Sequence, residues 1–446
     1  MVVGAAESSS RLVNRRALEA LRNGVPNGDA VAVLGCNQPS VEREFNSMLD
    51  RVSSESDMAD SGLGMLVAGE FGAGKSHLLS YLETQALQRN FVCSRVVISK
   101  ETPLFDMEKV FRAAVANGRV PGITGHMVEE IAQTLDYNSQ SYADFFVWAN
   151  REDNGLHRIL PATLMVHEKD NDPELLNEIN WFWAGEKIQL KSVRDGLTHI
   201  GQRQTYSFRA PTARDMPPQK LRFLLELIKA AGYNGWVILM DEIELVANYS
   251  VLQRARSYGE LTRWLGQAAD ENYPGLVVVG TVTAGLAELV LDTKEDRDKA
   301  VPRLRARGRD ADNLLAARAE TGMRLIERGL HPLDDPDDAT LSGLYDKLKD
   351  IHSRAYSWDA PDIDRGIAQT RRPRIRSFVR RWINEWDLRR LYPELKPHIE
   401  VSEMQFSYEE DTTLEHPASD DPGSVTINEA DGPAYGSESR PVHRQV

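Results

Sequence analysis

Eight consecutive residues, Gly69-Glu-Phe-Gly-Ala-Gly-Lys-Ser76, have the types and spacing of a phosphate-binding loop. Glycines at 69, 72 and 74 let backbone N–H groups turn towards one anion, and the helix that follows adds the positive end of its dipole. An ammonium at Lys75 would reach the β and γ phosphates of a nucleoside triphosphate, and the Ser76 hydroxyl would ligate Mg²⁺. Gly69, Gly72, Gly74, Lys75, Ser76 and the adjoining His77 are therefore the nucleotide-binding candidates. A second pattern, Val237-Ile-Leu-Met-Asp-Glu-Ile-Glu244, is a buried-strand run that ends in carboxylates. Asp241 is placed to hold Mg²⁺, directly or through water, and Glu242 to orient and polarise an attacking water. The plainer alternative is a solvated strand end that opens a helix, where acidic residues are common.

Other positions could complete phosphoryl transfer. Thr281 ends the apolar run Leu276-Val-Val-Val-Gly-Thr281, where a hydroxyl could hold the water or sense the γ-phosphate. Thr283 could do the same work, and a satisfied turn hydroxyl fits equally well. The run Pro302-Arg-Leu-Arg-Ala-Arg-Gly-Arg309 offers Arg303 and Arg305 as arginine-finger candidates, stabilising charge on the transferred phosphoryl group, in trans if the chain assembles. The same run also fits a solvated or polyanion-facing loop. In Arg371-Arg-Pro-Arg-Ile-Arg-Ser-Phe-Val-Arg-Arg381, Arg374 falls in the first turn of a helix and could turn back to the nucleotide from a lid. A DNA-facing helix, or an ordinary amphipathic one wrapped by long side chains, fits that cluster too.

These groups need elements to position them. Apolar runs near 64–68, 91–99, 237–241 and 276–281, separated by helical patterns, predict a doubly wound, largely parallel sheet. Nucleotide would bind at the carboxyl ends of its strands. A helix is expected over 11–22 after a loose leader at 1–10, and another over about 38–56. Between 101 and 235 the chain is far longer than a simple crossover needs. The better helices there are Phe105–Ala116, Met127–Leu135, Ser141–Asn150, Pro173–Phe182 and Pro218–Ala230, so a helical insertion is expected at about 130–215. Its aromatics Trp148, Trp181, Phe182 and Trp183 read as the core of that insert rather than a base-stacking platform. A short strand or turn is expected near Met323–Leu325, then helices over 338–357 and 371–390. The organisation that follows is a helical lead-in at 1–60, a core at 61–330, a helical lid at 331–405 and an acidic, disordered tail at 406–446.

Bulk properties exclude little. The formal charge of −14 on 446 residues gives no support to a globally basic nucleic-acid binder, although a local basic face is allowed. The two cysteines, Cys36 and Cys93, lack the company of a zinc site or a disulfide framework. No run is long enough to span a membrane, and a cytoplasmic location is expected.

Taken together the motifs resemble the P-loop ATPases of the AAA+ superclass, especially the branch with origin-recognition and Cdc6-like proteins, over about 64–390. Closer still, Arg15-Arg-Ala-Leu-Glu-Ala-Leu-Arg-Asn-Gly-Val-Pro-Asn27 ahead of Gly69-Glu-Phe-Gly-Ala-Gly-Lys-Ser-His77 is similar to the ATP-binding protein family of BREX phage-defence systems. The resemblance implies a three-layer, AAA+-like α/β fold with a large helical insertion and a helical lid. It implies ATP and Mg²⁺ as cofactors, with Lys75 and Ser76 on phosphate and metal and Asp241 and Glu242 in the acidic strand-end roles. Thr281 takes a first sensor position and Arg374 a lid-sensor position; the finger assignment to Arg303 or Arg305 carries over less directly. Partners implied are double-stranded DNA and other defence-system proteins, in a homo-oligomer or hetero-complex. The expected function is an ATP-hydrolysing motor or switch in a DNA-acting defence complex. Alternatives are a nucleotide-dependent assembly scaffold with slow turnover, and a replication-initiator or helicase-loader-like ATPase.

Overall fold

The computed structural model describes residues 2–24, 27–54, 62–366 and 375–394. Six strands form one sheet: β1 Leu63–Ala68, β2 Val92–Val97, β3 Gly118–Arg119, β4 Trp236–Asp241, β5 Leu276–Val282 and β6 Leu330–Pro332. Their order is β3-β2-β4-β5-β1-β6, and every pairing is parallel except β2 with β3. Strand β5 therefore lies between β1, which leads into the phosphate loop, and β4, which ends in Asp241. All residues of β4 and β5 are buried. Continuous Val, Ile and Leu runs of this kind belong to strands covered on both faces.

Alternation along the strands divides the core. Leu63, Met65 and Val67 of β1, with Val237, Leu239, Val277 and Val279, face helices α3 (Pro39–Ser53) and α4 (Lys75–Gln88). Leu66, Trp236, Ile238, Met240 and Val278 face the opposite layer, built on α5 (Met107–Ala116), α11 (Met216–Ala230) and α12 (Val251–Trp264).

Between β3 and α11 run five helices: α6 Met127–Gln133, α7 Gln140–Asn150, α8 Ile159–Lys169, α9 Pro173–Trp183 and α10 Leu190–His199. Ser139 caps α7 by accepting from the Tyr142 amide, and Asp172 caps α9 ahead of Pro173. Trp183 is fully buried and donates its indole N–H to Thr163 Oγ1 at 2.9 Å, while Phe182 packs under the Lys220 ammonium. Those aromatics thus fill the insert's interior; Trp181 alone of the four is exposed.

A third cluster joins α1 (Val2–Asn23), α15 (Asp338–Tyr356) and α16 (Ile375–Leu391). Trp382 meets Tyr345 edge-on at 5.2 Å, and Arg22 of α1 is ion-paired to Asp387 of α16. A short helix α2, Gly28–Leu34, capped by Asn27, connects α1 to α3.

Several expectations are corrected. Residues 2–10 continue α1 rather than forming a loose leader, consistent with the good helix formers Ala5, Ala6 and Glu7. Residues 302–305 are not loop but the last turn of α13, Asp296–Arg305. Met323–Leu325 lie inside α14, Asp310–Arg328, whose buried Ala316, Ala319, Gly322 and Ile326 form a helical stripe; the strand comes afterwards as β6. Helices α2, α8 and α10 and the antiparallel β3 were not anticipated. The expected tail at 406–446 lies outside the described residues.

Helices α12 and α14 approach closely because Gly322 has no side chain: a Cβ there would stand 2.1 Å from the Tyr258 carbonyl oxygen. Gly322→Val should destabilise the chain by about 1–3 kcal/mol through overpacking. Urea unfolding followed by tryptophan fluorescence would show this as a lower midpoint.

Candidate functional site

The loop that follows β1 can turn as it does because Gly72 and Gly74 adopt φ of 80° and 101°, where other residues are strained. Gly74 is the N-cap of α4, so that helix begins at Lys75 with its amides directed at the loop. Gly69 is constrained from outside, since a Cβ would lie 2.8 Å from Leu333. Lys75 is buried, and its ammonium donates to the Gly69 carbonyl at 2.8 Å and stands over the Phe71 ring.

Two distant chain segments and the adjoining backbone amide meet Asp241 at the end of β4. Ser76 Oγ donates to its Oδ2 at 2.8 Å, Thr281 Oγ1 of β5 to its Oδ1 at 2.6 Å, and the Glu242 amide to Oδ1 at 3.1 Å. Thr281 is fully buried, and its hydroxyl is satisfied by Asp241 from within β5 rather than in a turn. A fourth group, Arg95 of β2, places a nitrogen 3.9 Å from Oδ2 and donates to Ser80. Parallel pairing brings these strand ends to one edge of the sheet; neither Ser76 nor Thr281 is near Asp241 in sequence.

Glu242 adopts φ 62° and ψ 31°, a left-handed conformation unusual for a residue with a side chain. Burial raises its carboxyl above the ordinary glutamate range, the Asp241 charge adds to the rise, and Lys75 and Arg376 oppose it. Beside the loop is a cavity of about 380 Å³, lined among others by Gly35, Cys36, Gly74, Lys347 and Arg376. It is enclosed by the lead-in, the loop and helices α15 and α16. The Arg376 amide donates to the Gly72 carbonyl at 3.2 Å, docking the start of α16 on the loop.

The candidates sort clearly. Gly69, Gly72, Gly74, Lys75, Ser76, Asp241, Glu242 and Thr281 come together. His77 lines the cavity, but its Nε2 is 2.7 Å from the Gly35 carbonyl, which fixes the N–H there and ties α4 to the lead-in. Burial lowers its pKa, against the opposing pull of the Gly35 carbonyl. Arg374 lies outside the described residues; Arg376, two positions on, is the arginine of α16 that lines the cavity beside the loop. Arg303 and Arg305 are not part of this constellation: both are exposed on α13, and Arg305 is paired with Glu320 of α14 at 2.7 Å.

Three residues were missed. Arg95 is a lone charge in an apolar strand, which was a usable signal. Glu244 stands three residues after Asp241, and in the tight turn Ile243–Asn248 that spacing returns it to the same side. Arg376 sits within the arginine run 371–381, where composition does not single it out.

The sequence model of the BREX system ATP-binding proteins BrxC/D matches residues 10–123 and 199–383, well over half of the chain. The chain belongs to that family, whose system is one of phage defence. The unmatched residues 124–198 are those of helices α6 to α10. Among curated proteins nothing matches the chain. Among the described residues no helix is long and apolar enough to cross a membrane.

Thr281→Val removes a donor from a buried carboxylate while keeping the side-chain volume. It should cost about 1–3 kcal/mol of stability and weaken ATP binding, measured by thermal melting with and without nucleotide.

Proposed function

We propose that the chain binds ATP with Mg²⁺ and hydrolyses it, acting as a motor or switch in a DNA-acting phage-defence complex. The observation that carries this reading is the bonded set Ser76–Asp241–Thr281 beside Glu242, at the edge where the phosphate loop ends. The Ser76 hydroxyl and the Asp241 carboxylate are hard oxygen donors 2.8 Å apart, which suits a divalent cation of the Mg²⁺ type. Bound there, Mg²⁺ would neutralise charge on the phosphates.

The chain's own groups supply the rest. Lys75 leaves the Gly69 carbonyl for the β and γ phosphates. Glu242 orients a water in line with the bond to be broken and takes its proton as oxygen bonds to the γ-phosphorus. The bond to the β–γ bridging oxygen breaks, and ADP and phosphate leave. Thr281 keeps Asp241 in place. An AAA+-like arrangement is supported by the strand interposed between β1 and β4 and by the helices α15 and α16 over the pocket. Arg303, exposed and without a hydrogen bond or ion pair among the described residues, is suited to act on a neighbouring copy's nucleotide.

For the DNA partner, α16 is poorly suited. Arg380 donates to the carbonyls of Arg22 and Asn23, Arg381 is paired with Asp364, and Arg389 with Glu385. Residues 196–214 fit better: they contain no carboxylate and carry exposed Arg203, Arg209 and Arg214. Free surface arginines of this kind bind phosphate backbones.

Phosphate release from ATP by the purified chain, with and without duplex DNA, tests the proposal. Wild-type turnover should exceed that of Glu242→Gln by at least about 100-fold and rise with DNA. Equal rates would refute hydrolysis at this site. Because Glu242 acts as a base with a raised pKa, turnover should fall as pH drops through a midpoint above the ordinary glutamate value of about 4.3.

A further inference from the structure

One buried carboxylate takes no part in that reaction. Glu244 is 1% exposed, and among the described residues no other residue donates a hydrogen bond to either of its oxygens; of hydrogen-bond donors, only its own backbone amide favours the charged form. Such a group is costly unless a counter-charge compensates it. The cation facing it is Lys75, whose Nζ lies 3.6 Å from Oε1. The other charges acting on it, Asp241 and Glu242 from its own segment, are both negative.

From this geometry we infer that Glu244 is the resting counter-ion of the phosphate-loop lysine and competes with nucleotide phosphate for it. The inference rests on Lys75 being the phosphate ligand of the proposed function. One ammonium serves two anionic claimants. When Lys75 turns to the β-phosphate, Glu244 loses its cation and gains a like charge nearby. Its negative form then opposes binding, and the relief open to it is protonation. Burial already pushes the carboxyl up to about 7, with Lys75 pulling it down and Glu242 and Asp241 adding to the rise. Nucleotide binding near neutral pH is therefore coupled to proton uptake at Glu244. A ligand with only an α-phosphate does not engage Lys75 and escapes the competition.

Calorimetry on the full chain without divalent metal tests this, using ADP and AMP and two buffers of different ionisation heat. At pH 8, Glu244→Gln should bind ADP about tenfold tighter than wild type, a difference of about 1.4 kcal/mol. The gap should close towards pH 6, and AMP affinity should be the same in both proteins. A general structural effect of the substitution would move AMP as well. The wild type should take up a fraction of a proton with ADP at pH 7.5 and the variant none. Equal ADP affinities at pH 8, or no uptake by the wild type, overturn the inference. Should the variant fail to fold, wild-type proton uptake decides alone. If Lys75→Ala binds ADP as tightly as wild type, the lysine's phosphate role fails instead, which is a separate result.

Discussion

The candidate site depends on one carboxylate accepting hydrogen bonds from separate parts of the chain. Asp241 receives Ser76 from the loop, Thr281 from the adjacent strand and the amide of Glu242. Each such bond to an ionised acceptor is worth about 1.5–3 kcal/mol when made and leaves a buried group unpaired when broken. The bonds from Ser76 and Thr281 cannot form unless β1, β5 and β4 are in register at their carboxyl ends. A slip of one residue would turn Thr281 to the other face of the sheet. The chemistry therefore constrains the sheet as much as the sheet positions the chemistry.

Around that point the molecule is built in shells. Helices on both faces bury β4 and β5 completely, which holds the strand ends still. Helix α1 packs with α15 and α16 through an aromatic cluster, and their edges line the cavity beside the loop. The Arg376 amide on Gly72, the His77 ring on Gly35 and the Lys347 ammonium on Leu34 stitch these parts together. Movement of α16 would thus be felt directly at the glycine-rich loop.

Much of the centre was legible in the sequence because glycine spacing and strand-end carboxylates are local signals with local causes. Val237–Asp241 could be placed as a buried strand from its apolar run alone. Groups that act through distance were harder. Arg95 and Arg376 reach the site only through strand pairing and helix docking; a lone charge in an apolar strand marks Arg95 as unusual but does not say what it faces. Glu244 needed the turn geometry after Glu242, which depends on a left-handed residue that sequence does not announce. The shift from Met323–Leu325 to Leu330–Pro332 has a different cause. Short apolar stretches suit strand and helix alike, and packing of α14 on α12 through Gly322 decided between them.

In the proposed reaction Asp241 organises a nucleotide site in which Lys75 changes partners. A crystal structure with Mg²⁺ and a non-hydrolysable ATP analogue tests it most directly. The β and γ phosphates should lie in the loop, with Lys75 Nζ moved from Gly69 and Glu244 onto them and the metal beside Ser76 and Asp241. Phosphates bound elsewhere, or Lys75 still held by Gly69 and Glu244 with the analogue in place, would contradict it.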